Sequence, residues 1–240
     1  MPLVEHLREL RRRLLLSVSA IGAGAVLGYA AFPIVLDALL RPYCAVLVAL
    51  DPTGDCRLIA LSPIDPFLVR LRGALLLGIV AAAPIVLYQV WRFVLPGLTG
   101  RERRYALPFV LGTQVMFALG LVFAATVIPQ GLRVLLAIGG DSIVPMLAAG
   151  EYLSFVLAMS LAFGIVFELP LVLILLALLR VVTAGALRRA RPYAVVTMFV
   201  VAAIVTPTVD ALSLFLVALP MVVFYEVSIV VAWLIERGRR

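Results

Sequence analysis

Three glutamates sit where a carboxylate is unusual. Glu102 is the lone acid in a cluster with Arg101, Arg103 and Arg104, while Glu168 and Glu226 lie deep within long apolar runs. An acid among arginines is either an ordinary loop salt bridge or a receptor for something basic. Guanidinium and carboxylate meet in a two-pronged, charge-assisted geometry, so both readings are chemically sound. An acid at membrane depth costs about 2.5–3.5 kcal/mol on insertion scales, so it faces a cavity or a partner, or stays protonated. For Glu168 the plain alternative is a hydrogen bond to a neighbouring helix; for Glu226 it is snorkelling to the interface or a hydrogen bond to a tyrosine. Pro170 follows Glu168 by two residues and removes a backbone hydrogen bond, so the acid is expected at a kink.

Other chemistries find little support. His6 is the single histidine and reads as a surface residue, which leaves no second histidine for a metal site or a catalytic triad. Cys44 and Cys56 share one hydrophilic connection and match no metal pattern. Gly-x-Ser-x-Gly, His-Glu-x-x-His and phosphate-loop patterns do not occur. No metal, cofactor or enzymatic activity is expected.

The elements that position these acids are membrane helices. The chain has 240 residues, 65% hydrophobic and 14% charged, with a mean hydropathy of +1.19. A soluble domain averages about 45–50% apolar and 25% charged. The alternating segments of a membrane barrel are missing. Every basic residue is arginine, and the net charge of +7 is explained by loop charge bias rather than nucleic-acid binding.

Residues 1–13 form an amphipathic segment with Leu3, Leu7, Leu10 and Leu14 at helical spacing and Glu5 and Glu9 placed to pair with Arg8 and Arg13. A helix on the membrane surface is expected there. The first apolar run continues beyond a signal-peptide core, so it is read as an anchor. Six spans follow from the apolar runs: 14–36, 66–95, 104–128, 151–179, 192–205 and 211–235. Together they make one membrane domain over 1–240. Between them lie polar connections, including 37–66, where Asp65 and Pro66 start a helix. The fifth span, roughly 21 Å long, is short for a bilayer. Pro84, Pro108, Pro170 and Pro220 predict kinked, tilted helices.

Six spans put both ends on one side. Arg8, Arg11, Arg12, Arg13, Arg92, Arg101, Arg103, Arg104, Arg180, Arg188, Arg189, Arg191, Arg237, Arg239 and Arg240 fall on the side of the termini. Arg41, Arg57, Arg70, Arg72 and Arg133 fall opposite, with Asp37, Asp51, Asp55, Asp65, Asp141, Glu151 and Asp210. The termini and the 89–105 connection are therefore expected in the cytoplasm. Cys44 and Cys56 then face the oxidising side and are disulfide candidates.

Several motifs together resemble the TatC family of the twin-arginine protein translocase. They are His6-Leu7-Arg8-Glu9-Leu10-Arg11, Gln89-Val90-Trp91-Arg92-Phe93-Val94-Leu95-Pro96-Gly97-Leu98, Glu102-Arg103-Arg104, Tyr152-Leu153-Ser154-Phe155, Phe163-Gly164-Ile165-Val166-Phe167-Glu168-Leu169-Pro170, Arg191-Pro192-Tyr193 and Thr206-Pro207. The resemblance implies a concave, glove-like six-helix bundle in the bacterial inner membrane. It implies a receptor for twin-arginine signal peptides of folded cargo, with Glu9, Phe93 and Glu102 at the binding site. Glu168 matches the family's intramembrane acid, Pro42 a proline of the first outer connection, and Asp210 an acid after the fifth span. Many members read Thr-Pro-Pro-Asp there, whereas here two residues separate Pro207 from Asp210. The family's partners are TatA-type and TatB-type single-span proteins, membrane lipids and further copies of the chain, and it draws on the proton gradient rather than ATP. The competing reading from Glu168 alone is a proton-coupled transporter of a small solute.

Overall fold

The structure, a computed structural model, describes residues 3–50, 58–94, 106–138, 147–205 and 211–238. It contains six helices: α1 (Leu3–Leu50), α2 (Asp65–Val94), α3 (Ala106–Ile138), α4 (Ala149–Leu178), α5 (Ala184–Val205) and α6 (Ala211–Arg237). All but α5 are long and apolar enough to cross a membrane.

Three elements run beyond the limits read from hydropathy. α1 is continuous for 48 residues, through the amphipathic N-terminal segment and through Asp37 and Pro42. Its last turn abuts Asp51-Pro52 in the sequence, and a residue preceding proline disfavours helix. α3 passes through Pro129 to Ile138. α5 begins at Ala184 rather than at Pro192, so its 22 residues span roughly 33 Å. Hydropathy assigned Arg188, Arg189 and Arg191 to a connection, yet Ala, Leu and Arg are all strong helix formers. The backbone follows propensity there.

The chain divides into two compact units. One comprises Met1–Gln114 and Leu132–Leu157; the other comprises Val115–Gly131 and Ala158–Arg240.

In the first unit, small residues let α1 and α2 approach at backbone distance. A methyl group on Gly24 would lie 2.9 Å from the Gly78 carbonyl oxygen, and one on Gly78 would lie 2.6 Å from the Ala25 nitrogen. Gly24 and Gly28 on α1 face Ala74 and Gly78 on α2, so each helix shows small residues four apart. This is how membrane helices associate where lipid removes any hydrophobic drive. Further along, Phe32, Val69 and Leu153 form a buried cluster joined by Leu36, Leu39, Ala149 and Leu157.

Polar ties hold that end. The Tyr152 hydroxyl donates to the Leu39 carbonyl at 2.6 Å, one turn before Pro42, where proline weakens the helix ladder. Arg70 donates to the Tyr29 carbonyl and stacks over its ring at 4.2 Å. Arg72 reaches the Ser154 hydroxyl at 3.0 Å. Asp65 does not cap forward into α2: its carboxylate accepts from the Leu61 and Ser62 amides, both at 2.8 Å, which pins the turn leading into the helix.

In the second unit, α3 and α4 meet at Gly120, where an added methyl would sit 2.5 Å from the Phe163 carbonyl oxygen. Phe123 packs on Phe163 and Phe167, and Phe167 meets Phe224 edge-on at 4.7 Å. α5 and α6 are joined by hydrogen bonds. Thr183 caps α5 through the Ala186 amide at 3.1 Å. Glu236, at the end of α6, accepts the Ala184 amide at 2.7 Å, so an acid meets the positive end of the helix dipole. The Tyr225 hydroxyl donates to the Leu187 carbonyl at 2.8 Å.

Candidate functional site

The first turns of α1 and the last turn of α2 come together. His6 stacks on Phe93 with ring centroids 4.4 Å apart and an interplanar angle of 19°. Glu9 lies three residues after His6 and Arg13 seven after, so all three share one face of the helix. Arg13 donates to Glu9 Oε1 through both Nε and Nη2. The charge of Arg92, beside Phe93, also acts on the Glu9 carboxylate. Among the described residues Oε2 of Glu9 carries no hydrogen bond, and a carboxylate has lone pairs for a second, two-pronged donor. The arrangement offers half of a carboxylate next to an aromatic ring at one end of the helix pair. Glu102, expected at this site, lies outside the described residues.

Glu168 sits on α4 two residues before Pro170. Both carboxyl oxygens are buried without a hydrogen-bond partner among the described residues. The side chain borders a cavity of about 340 Å³ lined by α4 residues including Val166 and Leu169, by Val201 of α5 and by Val217 and Met221 of α6. The cavity wall is otherwise apolar. A hydrogen bond to a neighbouring helix is therefore not what holds this acid among the described residues.

Glu226 has a partner that was not foreseen. Arg191 of α5 donates to its Oε2 at 2.6 Å, and the two side chains are 49% and 41% exposed. Neither a tyrosine bond nor unassisted snorkelling describes it, because the adjacent Tyr225 hydroxyl is turned to Leu187. Pro42 lies within α1. Cys44 also lies in α1 and is not a free thiol; Cys56 and Asp210 lie outside the described residues. No group of three or more potential metal ligands occurs among the described residues.

His6 is exposed, as expected of a surface histidine, and it also makes a ring contact between two helices. Its spacing from Glu9 was the available signal: i and i+3 on one face place the imidazole on the side where the acid must work.

The chain matches the family model described as Sec-independent protein translocase protein (TatC) over residues 5–220. It is 40% identical over 243 residues to the protein of that name from Frankia casuarinae, covering 99% of this chain and 67% of the relative. It is 38% identical to that of Carboxydothermus hydrogenoformans, covering 98% and 94%, and 38% identical to that of Aquifex aeolicus, covering 100% and 98%. A crystal structure of the twin-arginine translocase receptor TatC superimposes with a TM-score of 0.83 at 37% identity, covering 95% of this chain and 98% of that one. The chain belongs to the TatC family, as a multi-pass membrane, non-enzymatic receptor component of the Sec-independent, twin-arginine translocase.

Proposed function

We propose that this chain binds the twin-arginine signal peptides of folded precursors through Glu9, Phe93 and Glu102 on the cytoplasmic face of the bacterial inner membrane. The carrying observation is the His6–Phe93 stack, which sets Phe93 beside the helix face that bears Glu9. One guanidinium of the peptide docks on the open oxygen of Glu9 and the second on Glu102. The apolar residues after the arginine pair rest on Phe93. Arg101, Arg103 and Arg104 would repel such a ligand unless they were otherwise engaged. In this reading they point to lipid phosphates and leave Glu102 open.

The arginine distribution supports both termini being cytoplasmic. A periplasm-active reporter fused after Arg240 stays silent on this reading, and activity would reverse the topology. Single-span TatA-type and TatB-type partners and further copies of the chain complete the working complex. Glu168, buried in its cavity, serves as the intramembrane polar site at which those partners act, with Glu226, Asp210 and Pro42 as secondary positions. A disulfide joins Cys44 and Cys56.

Site-specific photocrosslinking tests the assignment. Probes at positions 9, 93 and 102 capture a signal peptide in membranes, and Glu102→Gln abolishes capture. Unchanged capture in Glu102→Gln removes that residue from the site.

A further inference from the structure

His6 is not one of the groups assigned to hold the peptide, yet its ring stacks on Phe93. The stack is nearly parallel, at 4.4 Å and 19°. His6 sits less than one turn ahead of Glu9 on the same face of α1. Val4 and Leu7, the neighbouring apolar residues, are largely exposed, so they do not bury the start of the helix. Phe93 is on the last turn of α2, next to Arg92. The ring contact thus joins the beginning of one element to the end of another, and the candidate acid and the candidate apolar platform belong to those two ends.

We propose that His6 is a positioning residue for signal-peptide recognition: its stack on Phe93 holds the first turns of α1 so that Glu9 and the Phe93 ring stay in register for one ligand. This rests on the reading of Glu9 and Phe93 as the peptide site. The physical argument is preorganisation. The start of a helix frays easily, and a carboxylate on a fraying turn samples many distances from Phe93. A ring pair of this geometry biases that ensemble toward the arrangement in which acid and platform are used together, and a site held in its bound arrangement binds more tightly. The role needs a flat ring and not a charge, so another aromatic should serve.

Two measurements on the full chain in membranes with its single-span partners test this. The first follows a fluorine-labelled phenylalanine at position 93 by NMR, without peptide. The line moves in His6→Ala and returns toward its original position in His6→Phe. An unmoved line in His6→Ala means that no stack exists, and the proposal fails. The second measures capture of a synthetic twin-arginine signal peptide that itself carries the photocrosslinker, so that positions 9 and 93 keep their own side chains. His6→Ala weakens binding by about twofold to tenfold, and His6→Phe restores it. Loss in Phe93→Ala with full capture in His6→Ala overturns the positioning role while leaving the binding site intact. Full capture in both Phe93→Ala and Glu9→Gln overturns the peptide-site reading, and this inference with it. A His6→Phe variant as poor as His6→Ala, at equal membrane levels, shows that a ring is not what the site requires and also overturns it.

Discussion

Replacing Glu168 by leucine should stabilise the protein and stop it working. Both carboxyl oxygens of Glu168 are buried with no hydrogen-bond partner among the described residues, beside a cavity of about 340 Å³. A buried polar group without a partner costs about 1–3 kcal/mol. Leucine removes that cost and leaves similar volume against Val166, Leu169 and Met221, so little new void arises. For a chain of this length each kcal/mol moves the melting temperature by about 2–4 °C. Glu168→Leu should therefore melt about 2–12 °C higher in detergent, followed by intrinsic fluorescence or by the monodisperse fraction left after heating. Export of a folded twin-arginine substrate in a deletion strain should fall strongly with the same variant. Glu168→Gln keeps a polar group in the same place and should gain no stability. A lower melting temperature for Glu168→Leu would refute the reasoning, since it would mean the carboxyl has a partner that holds the fold. Higher stability with full export would show instead that the acid has no function to lose.

Three further outcomes follow from the geometry. Gly78→Ala brings a methyl to 2.6 Å from the Ala25 nitrogen, so α1 and α2 must part by about 0.8 Å to reach ordinary contact, at a cost of about 1–3 kcal/mol. Gly22→Ala meets nothing within 4 Å and should hold or raise the melting temperature, which makes it the control. Tyr152→Phe loses the hydroxyl bond to the Leu39 carbonyl and should cost about 1 kcal/mol in denaturant or thermal unfolding, while its ring contact with Tyr43 at 5.5 Å persists. The Arg191–Glu226 pair is half exposed, so a double-mutant cycle with Arg191→Gln and Glu226→Gln should return a coupling of about 1 kcal/mol or less, falling with added salt.

Much of the architecture was legible because a bilayer leaves few options. With no water to satisfy backbone groups, long apolar runs must be helices; six helices form among the described residues, and five of them are long and apolar enough to cross a membrane. The ends were less legible. Hydropathy reports where a segment prefers lipid, not where its hydrogen-bond ladder stops. α1 therefore runs past Asp37, and α5 begins among arginines that hydropathy assigned to a connection. Asp65 looked like a forward cap because of the proline after it, yet its carboxylate turns back to the Leu61 and Ser62 amides.

Glu168 announced itself in the sequence, because an acid in the middle of a long apolar run is costly wherever the chain folds. Its partnerless state among the described residues could not be read there, since the neighbours that would satisfy it come from α5 and α6. The same limit hid Arg191 as the partner of Glu226, 35 residues away along the chain. It also hid His6, whose value lies entirely in Phe93, a residue on another helix. Residue type and spacing alone determined the solvent, the helices, the family resemblance and the acids worth testing. Tertiary structure decided which of those side chains meet, because a hydrogen bond or a ring stack depends on ångström distances between elements far apart in the chain.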